Sequence, residues 1–527
     1  MLARLRSSTL IGVRAEPIEI EVEFARGLPL FTIIGLGDTA VQEARFRIQS
    51  ALRASGIDIP RKRVTCNLAP AALRKDGAAL DLPMALGVLV AAEKLDPASL
   101  SGTLVLGELA LSGAVRPVRG VVSAAALARR LGVTTLIVPP DNVDEALAVE
   151  GLEVLAPTDL LSLWKHLTQS RPLPPPTKRK APQLFASKLD LADVRGQALG
   201  RRALEISAAG GHNILFIGPP GSGKTMLARR LPGILPPMSH TEQIEVTEVW
   251  SAAGLTLTGS GLVTERPFRA PHPSVSEAGL VGGGPTVRPG EISLAHRGVL
   301  FLDEMPEIPR RVLESLRQPL EDREVVISRA RQFVRMPASF LLVGSANPCP
   351  CGWLGDPVRR CRCSAVDVHR YASRISGPLI DRIDLIVPVE TLPPAEILED
   401  RGTFPSDRSA VVASRVLGAR AMAESRGATE NAMLTRSALE RTGSISAEAR
   451  KALGRAAERL RLSARVIDRV LRVARTIADL GSSSMVGSDA VLEALTYRPP
   501  ASLSQSGSPE LTPQGFDPSA SRAAVGD

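Results

Sequence analysis

Residues 214–225 read ILFIGPPGSGKT, and this run constrains the fold more than any other. Ile214–Ile217 is an apolar stretch of the kind that forms a buried strand. Gly218, Pro219, Pro220, Gly221, Ser222, Gly223, Lys224 and Thr225 follow, matching G-x-x-x-x-G-K-[ST], and the next segment, MLARRL, suits a helix. The glycines allow positive φ and bring backbone N–H groups close to phosphate oxygens. The start of the helix adds partial positive charge. Lys224 is placed to reach β- and γ-phosphates, and Thr225 to ligate Mg²⁺. A nucleoside triphosphate, ATP, is the expected ligand.

The segment GVLFLDEMPE (298–307) predicts a second buried strand ending in Asp303 and Glu304. Downstream of a phosphate loop, such a pair suits Asp303 to orient Mg²⁺ and Glu304 to polarise the attacking water. A third apolar strand, Phe340–Gly344, leads to Asn347, where a group that positions that water would sit. SRISGPLIDRIDLIVPV (373–389) carries Arg374 and Arg382 near a fourth strand. In ring ATPases an arginine here reaches the neighbouring subunit's γ-phosphate; Arg382, beside the strand, is favoured over Arg374.

Lys+Arg exceed Asp+Glu by 9 over 527 residues, a weak lean towards a polyanionic partner. Aromatics are only 3%, which argues against a ladder of stacked bases, so nucleic-acid contacts should be arginine and lysine to phosphate. The uncharged run between Asp81 and Glu93 is too short to cross a membrane, and MLARLRSST lacks the apolar core of a signal peptide. The expected location is the cytoplasm. There, C-P-C-(nine residues)-C-R-C at Cys349, Cys351, Cys361 and Cys363 suits a closed tetrahedral Zn²⁺ site better than disulfides. Cys66 alternates within a strand and reads as core.

The first 167 residues alternate strand-like and helix-like stretches. Within them RKDGAALDLPMALG (74–87) and GELALSGAVRPVRGVVSAA (107–125) resemble the proteolytic domain of Lon, of S5-like fold. The positions matching that family's serine and lysine are Ala79 and Val122, so the dyad is missing. ERPFRAPHPSVSEAGLVGGGPTVRPGEISLAHRGVLFLDEMPE (265–307) resembles the Mg-chelatase-like AAA+ ATPases. NPCPCG, YASRISGPLIDRID and ARVIDRVLRVARTIADL narrow the resemblance to the competence-related YifB/ComM group. That resemblance implies a hexameric ring ATPase and a DNA helicase driving branch migration in natural transformation. It also implies a pore insertion at His272–Pro289, and Arg465 as a second sensor of the γ-phosphate. A chelatase-type remodelling ATPase acting on a protein is the alternative.

The expected fold class is α/β. It comprises an inactive Lon-like α+β domain (1–167), a Pro-rich basic linker (168–187), an AAA+ domain with a parallel sheet (188–400), a helical lid (401–498) and a disordered tail (499–527). The cysteine insertion occupies 349–363. A hairpin over Glu324–Met336 should present Arg329 and Arg331 to DNA phosphates. Residues 441–480 hold ten Arg/Lys against four Asp/Glu, giving a basic lid.

Overall fold

The computed structural model describes residues 2–75, 77–176, 189–256, 261–284, 287–329, 332–393, 407–442 and 444–498. The expected tail, the basic part of the linker and Arg331 lie outside the described residues, and of the Arg329 side chain nothing is described.

The N-terminal unit begins with Leu2–Ile11, which pairs antiparallel with Arg14–Ala25. The sequence reading finds no signal peptide in this basic start and names no strand there. The alternation was there: Ala3 and Leu5 are buried, while Arg4 faces outward near Glu19 and Glu21 on the paired strand. Arg63–Ala69 and then Phe31–Ile34 complete this sheet. Cys66 is fully buried in it, and burial pushes its thiol up to about 12. Thr39–Ala54 and Asp81–Ala91 supply helices to the same core. Every residue of Asp81–Ala91 is buried, which explains its uncharged run. A small parallel sheet, Thr103–Val105, Thr135–Ile137 and Glu153–Leu155, packs with the helix Val121–Arg130 in an adjoining core.

The nucleotide-binding unit is a five-stranded, wholly parallel sheet. Its order is Phe268–Arg269, Val299–Leu302, Leu341–Ala346, Ile214–Ile217, Leu385–Pro388. Parallel strands need crossover connections, and the sheet is buried on both faces, so its strands read as continuous apolar runs. Register places strand ends together: Ile217 lies opposite Ala346 and Leu302 opposite Gly344. Gly218, Asp303 and Asn347 therefore leave the sheet along one edge, the crevice where open α/β sheets bind ligands.

The helix after the loop is shorter than the segment MLARRL suggested. It spans Lys224–Ala228 and gives way to a 3₁₀ turn, Leu231–Ile234, in which Pro232 prevents continuation. The expected pore insertion contains a helix, Glu277–Val281, and a short pairing of Gly282–Gly283 with Arg288–Pro289. The expected hairpin forms from Glu324–Arg329 and Gln332–Pro337.

The C-terminal helices are Ser409–Ser425, Arg436–Thr442, Ala447–Arg459, Ala464–Leu480 and Ser488–Thr496. Ser463 caps the fourth by accepting from Val466 N–H. These helices share one core with the helix Ala198–Gly210 and one face of the parallel sheet, including Phe216, Val416, Val473 and Tyr497.

The N-terminal unit docks on the other side. Gly120 N–H donates to Ser251 Oγ at 2.9 Å, and Ser251 Oγ donates to the buried Glu145 carboxylate at 2.7 Å. Thr256 Oγ1 reaches the other Glu145 oxygen at 2.9 Å. Val13, from the tight turn between the first two strands, packs with Val325, Val334 and Met336 of the hairpin. Ile244, on the ATPase-unit helix His240–Ala253, lies against the cluster that contains Val122 and borders Ala79. Those are the two positions where the Lon-like dyad is missing.

Candidate functional site

The loop's conformation follows from its glycines. Gly221 and Gly223 take φ of 79° and 95°, a region costly for other residues. A Cβ on Gly218 would collide with the Val389 carbonyl oxygen, because the loop passes directly over the neighbouring strand's continuation. Gln197 braces the loop from outside: its Nε2 donates to the carbonyls of Ser222 (3.2 Å) and Glu390 (2.6 Å). Sequence reasoning passed over this residue; its signal was only a polar side chain just before a helix.

Lys224 is buried. Its Nζ donates to the Gly218 carbonyl at 2.6 Å, the Pro219 carbonyl at 2.8 Å and Asn347 Oδ1 at 3.2 Å. Burial lowers its pKa, and Asp303 and Glu304 nearby act in the opposite direction. Lys224 and Asn347, given separate roles by the sequence, are thus in direct contact. Ser222 Oγ is buried without a partner among the described residues.

Thr225 Oγ1 donates to Asp303 Oδ2 at 3.1 Å. Ser345, on the strand between theirs, donates its hydroxyl to Asp303 Oδ1 and accepts from the Glu304 N–H at 3.0 Å. Ser345 is a second residue missed from sequence; a small polar side chain on an otherwise apolar buried strand was the available sign. Glu304 sits in left-handed backbone geometry, φ 48°, is exposed, and lies close enough to Lys224 to oppose the lowering of its pKa. The donor set of hydroxyl and carboxylate oxygens fits a hard divalent cation such as Mg²⁺.

The arginines divide between the two edges of the sheet. Arg374 Nη1 donates to the Pro306 carbonyl at 3.1 Å and to Glu307 at 3.0 Å, just beyond Glu304. Arg382 lies at the opposite edge: its carbonyl accepts from Asn213 Nδ2 at 2.9 Å, and Asn213 directly precedes the strand Ile214–Ile217. Its guanidinium bonds Glu321 and the Pro378 carbonyl, and its Nε is buried without a partner among the described residues. Arg465 joins it there, 3.8 Å from Asp381 and largely exposed. Four strand residues separate this edge from the loop, roughly 13 Å at 3.3 Å per residue. Neither Arg382 nor Arg465 reaches the phosphate loop of its own chain. The helix that carries Arg465 packs with one face of the sheet.

The four knuckle cysteines converge. Cys349 Sγ lies 3.4 Å from Cys351 Sγ and 3.7 Å from Cys361 Sγ, and Cys351 and Cys361 are 3.6 Å apart. All four sulfurs, Cys363 included, lie within 4.8 Å of one another. Backbone N–H groups of Trp353 and Arg362 point at Cys351 and lower its pKa to about 6, whereas burial and neighbouring thiols push Cys361 up to about 12.

Comparison with known proteins agrees with this architecture. The family model described as "Magnesium chelatase, subunit ChlI" matches residues 190–397. "Subunit ChlI of Mg-chelatase" matches 20–142, and "Magnesium chelatase, subunit ChlI C-terminal" matches 406–498. The uncharacterized protein YifB of Escherichia coli K12 is 42% identical over 502 residues, covering 94% of this chain and 97% of that protein. The competence protein ComM of Haemophilus influenzae is 42% identical over 503 residues, with the same coverage. The magnesium-chelatase 38 kDa subunit of Cereibacter sphaeroides is 27% identical over 169 residues, 29% of this chain and 51% of that protein. With a mixed α/β fold, a parallel sheet and relatives matched over nearly their whole length, the chain belongs to the YifB/ComM family of magnesium-chelatase-like AAA+ proteins.

Proposed function

We propose that the protein is an ATP-hydrolysing ring motor, a hexamer, that acts on branched or single-stranded DNA in the cytoplasm. The reaction is helicase-type branch migration in recombination or natural transformation. The carrying observation is the division of the site. Lys224, Thr225, Asp303 and Asn347 gather at one edge of the sheet, while Arg382 and Arg465 stand at the other. A neighbouring copy supplying Arg382 completes the site, and an arginine in that role accelerates phosphoryl transfer by roughly 10³–10⁵.

In this mechanism Lys224 turns from its loop carbonyls to the β- and γ-phosphates. Thr225 and Asp303 would hold Mg²⁺, which would supply charge neutralisation at the phosphate oxygens. Glu304 polarises the attacking water and Asn347 orients it. The cysteine cluster holds a structural Zn²⁺. The name of the Haemophilus relative and the basic balance of the chain favour DNA as the partner. Contact through Arg329, Arg331 and the basic lid follows the same logic. The second reading, remodelling of a protein partner, draws on the magnesium-chelatase relative.

Purified protein with ATP and a labelled three- or four-stranded DNA junction tests the first reading. Strand displacement and DNA-stimulated hydrolysis are expected. Their absence, with ATP turnover intact, favours the second.

A further inference from the structure

The cysteine knuckle touches the nucleotide site in three ways. Asn347, which accepts from Lys224 Nζ at 3.2 Å, stands two residues before Cys349. Gly352, between Cys351 and Trp353, is buried against the phosphate loop: a Cβ there would lie 2.6 Å from Pro220 Cδ and 2.8 Å from Pro220 Cγ. Its φ of 84° and the bond from its N–H to the Cys349 carbonyl (3.0 Å) form the turn that makes the approach possible. Tyr371, on the helix Ala365–Ala372 that follows the last cysteine, is buried, and its hydroxyl meets the backbone of Asn347.

The sulfur geometry suits a metal. With Zn–S near 2.3 Å, a tetrahedral tetrathiolate has S–S edges of about 3.8 Å. The separations of 3.4–3.7 Å among Cys349, Cys351 and Cys361 are close to that and far beyond a disulfide bond. The Cys363 N–H donates to Cys361 Sγ at 3.4 Å, a backbone contact of the kind that stabilises a ligating thiolate.

We infer that the metal-bound knuckle is a strap for the phosphate loop, setting Pro220 and Asn347, so that nucleotide affinity depends on zinc occupancy. The inference rests on the zinc reading, and metal content tests that reading separately. The strap acts by position: Pro220 limits how far the loop opens, and Asn347 fixes the lysine's resting direction. Zinc loss would free both at once.

The test uses the full-length protein, metal analysis, and titration with a fluorescent ADP analogue. One zinc per chain is expected. Cys361→Ser should lose the metal and weaken the analogue about tenfold, the usual scale for losing support around a metal site. Chelator treatment of the unmodified protein should do the same, and added zinc should reverse it. Pro220→Gly keeps all four cysteines; it should retain zinc while its nucleotide affinity stops responding to the chelator. Iron or no metal in the purified protein overturns the zinc centre. A zinc-free protein with unchanged affinity, or a Pro220→Gly protein that still responds to the chelator, overturns the strap. Failure of junction processing with zinc-dependent affinity intact counts against the DNA reading alone.

Discussion

Thr225 Oγ1 donates to Asp303 Oδ2 at 3.1 Å across the strand that lies between theirs. The first helical turn after the loop and the end of another strand therefore converge on one cluster of oxygen atoms. Ser345, on the intervening strand, holds the other oxygen of Asp303. Asp303→Asn should lower kcat/KM for ATP by about 10²–10³ and raise the Mg²⁺ needed for half-maximal rate. Steady-state ATPase assays across Mg²⁺ concentrations check this; an unchanged Mg²⁺ requirement contradicts the assignment.

Lys224 and Glu304 should separate binding from turnover. Lys224→Ala is expected to abolish nucleotide binding or hydrolysis. Glu304→Gln is expected to bind ATP and stall, because it loses the exposed carboxylate. Equilibrium binding beside single-turnover hydrolysis distinguishes them, and normal turnover by Glu304→Gln contradicts its role.

Arg382 stands at the opposite edge from the loop, which gives a complementation test. Arg382→Ala and Lys224→Ala should each be inactive alone. Mixed, they should regain a fraction of the activity, since some interfaces then pair an intact loop with an intact arginine. Dilution of the unmodified protein should lower its specific activity. Mixtures that stay inactive, with assembly confirmed by light scattering, argue against a shared site.

Glu248, on the helix that meets the N-terminal unit, has its pKa raised from 4.5 to about 7 by burial and by Glu245, with Arg14 and Arg130 opposing. The folded protein therefore holds this proton more tightly than the unfolded chain. Its stabilising effect is complete below pH 4.5 and is lost as pH rises through about 7. Glu248→Gln should flatten that part of the thermal-unfolding profile. Melting curves from pH 4.5 to 8 for both proteins read the difference.

Ser463 caps the helix that carries Arg465. Ser463→Ala should cost about 1 kcal/mol of lid stability while leaving nucleotide binding unchanged. Denaturant unfolding followed by helical signal measures it.

How much was legible from sequence depends on whether the signal was local. The phosphate loop is written in eight consecutive residues, and its strand and following turn obey that text. The helix Ala464–Leu480 has a cap, a strong 3.6-residue period and a glycine after it, so its ends can be read in the sequence. Leu2–Ile11 was missed because arginines on its solvent face hid the period-two pattern of its buried face. Ser345 and Gln197 act through partners more than 20 residues away, which no local pattern encodes. The edge occupied by Arg465 depends on the lid packing behind the sheet, a tertiary choice that the helix's own sequence leaves open.

Val122 is fully buried beneath the helix His240–Ala253, and its N–H turns to Glu145. Adding back Ala79→Ser and Val122→Lys would not recreate a peptidase. The new lysine would be shut inside an apolar seam, and any peptide approaching it would first have to part the two units. The surface where the resembling fold would cut is here a buried contact between the two units.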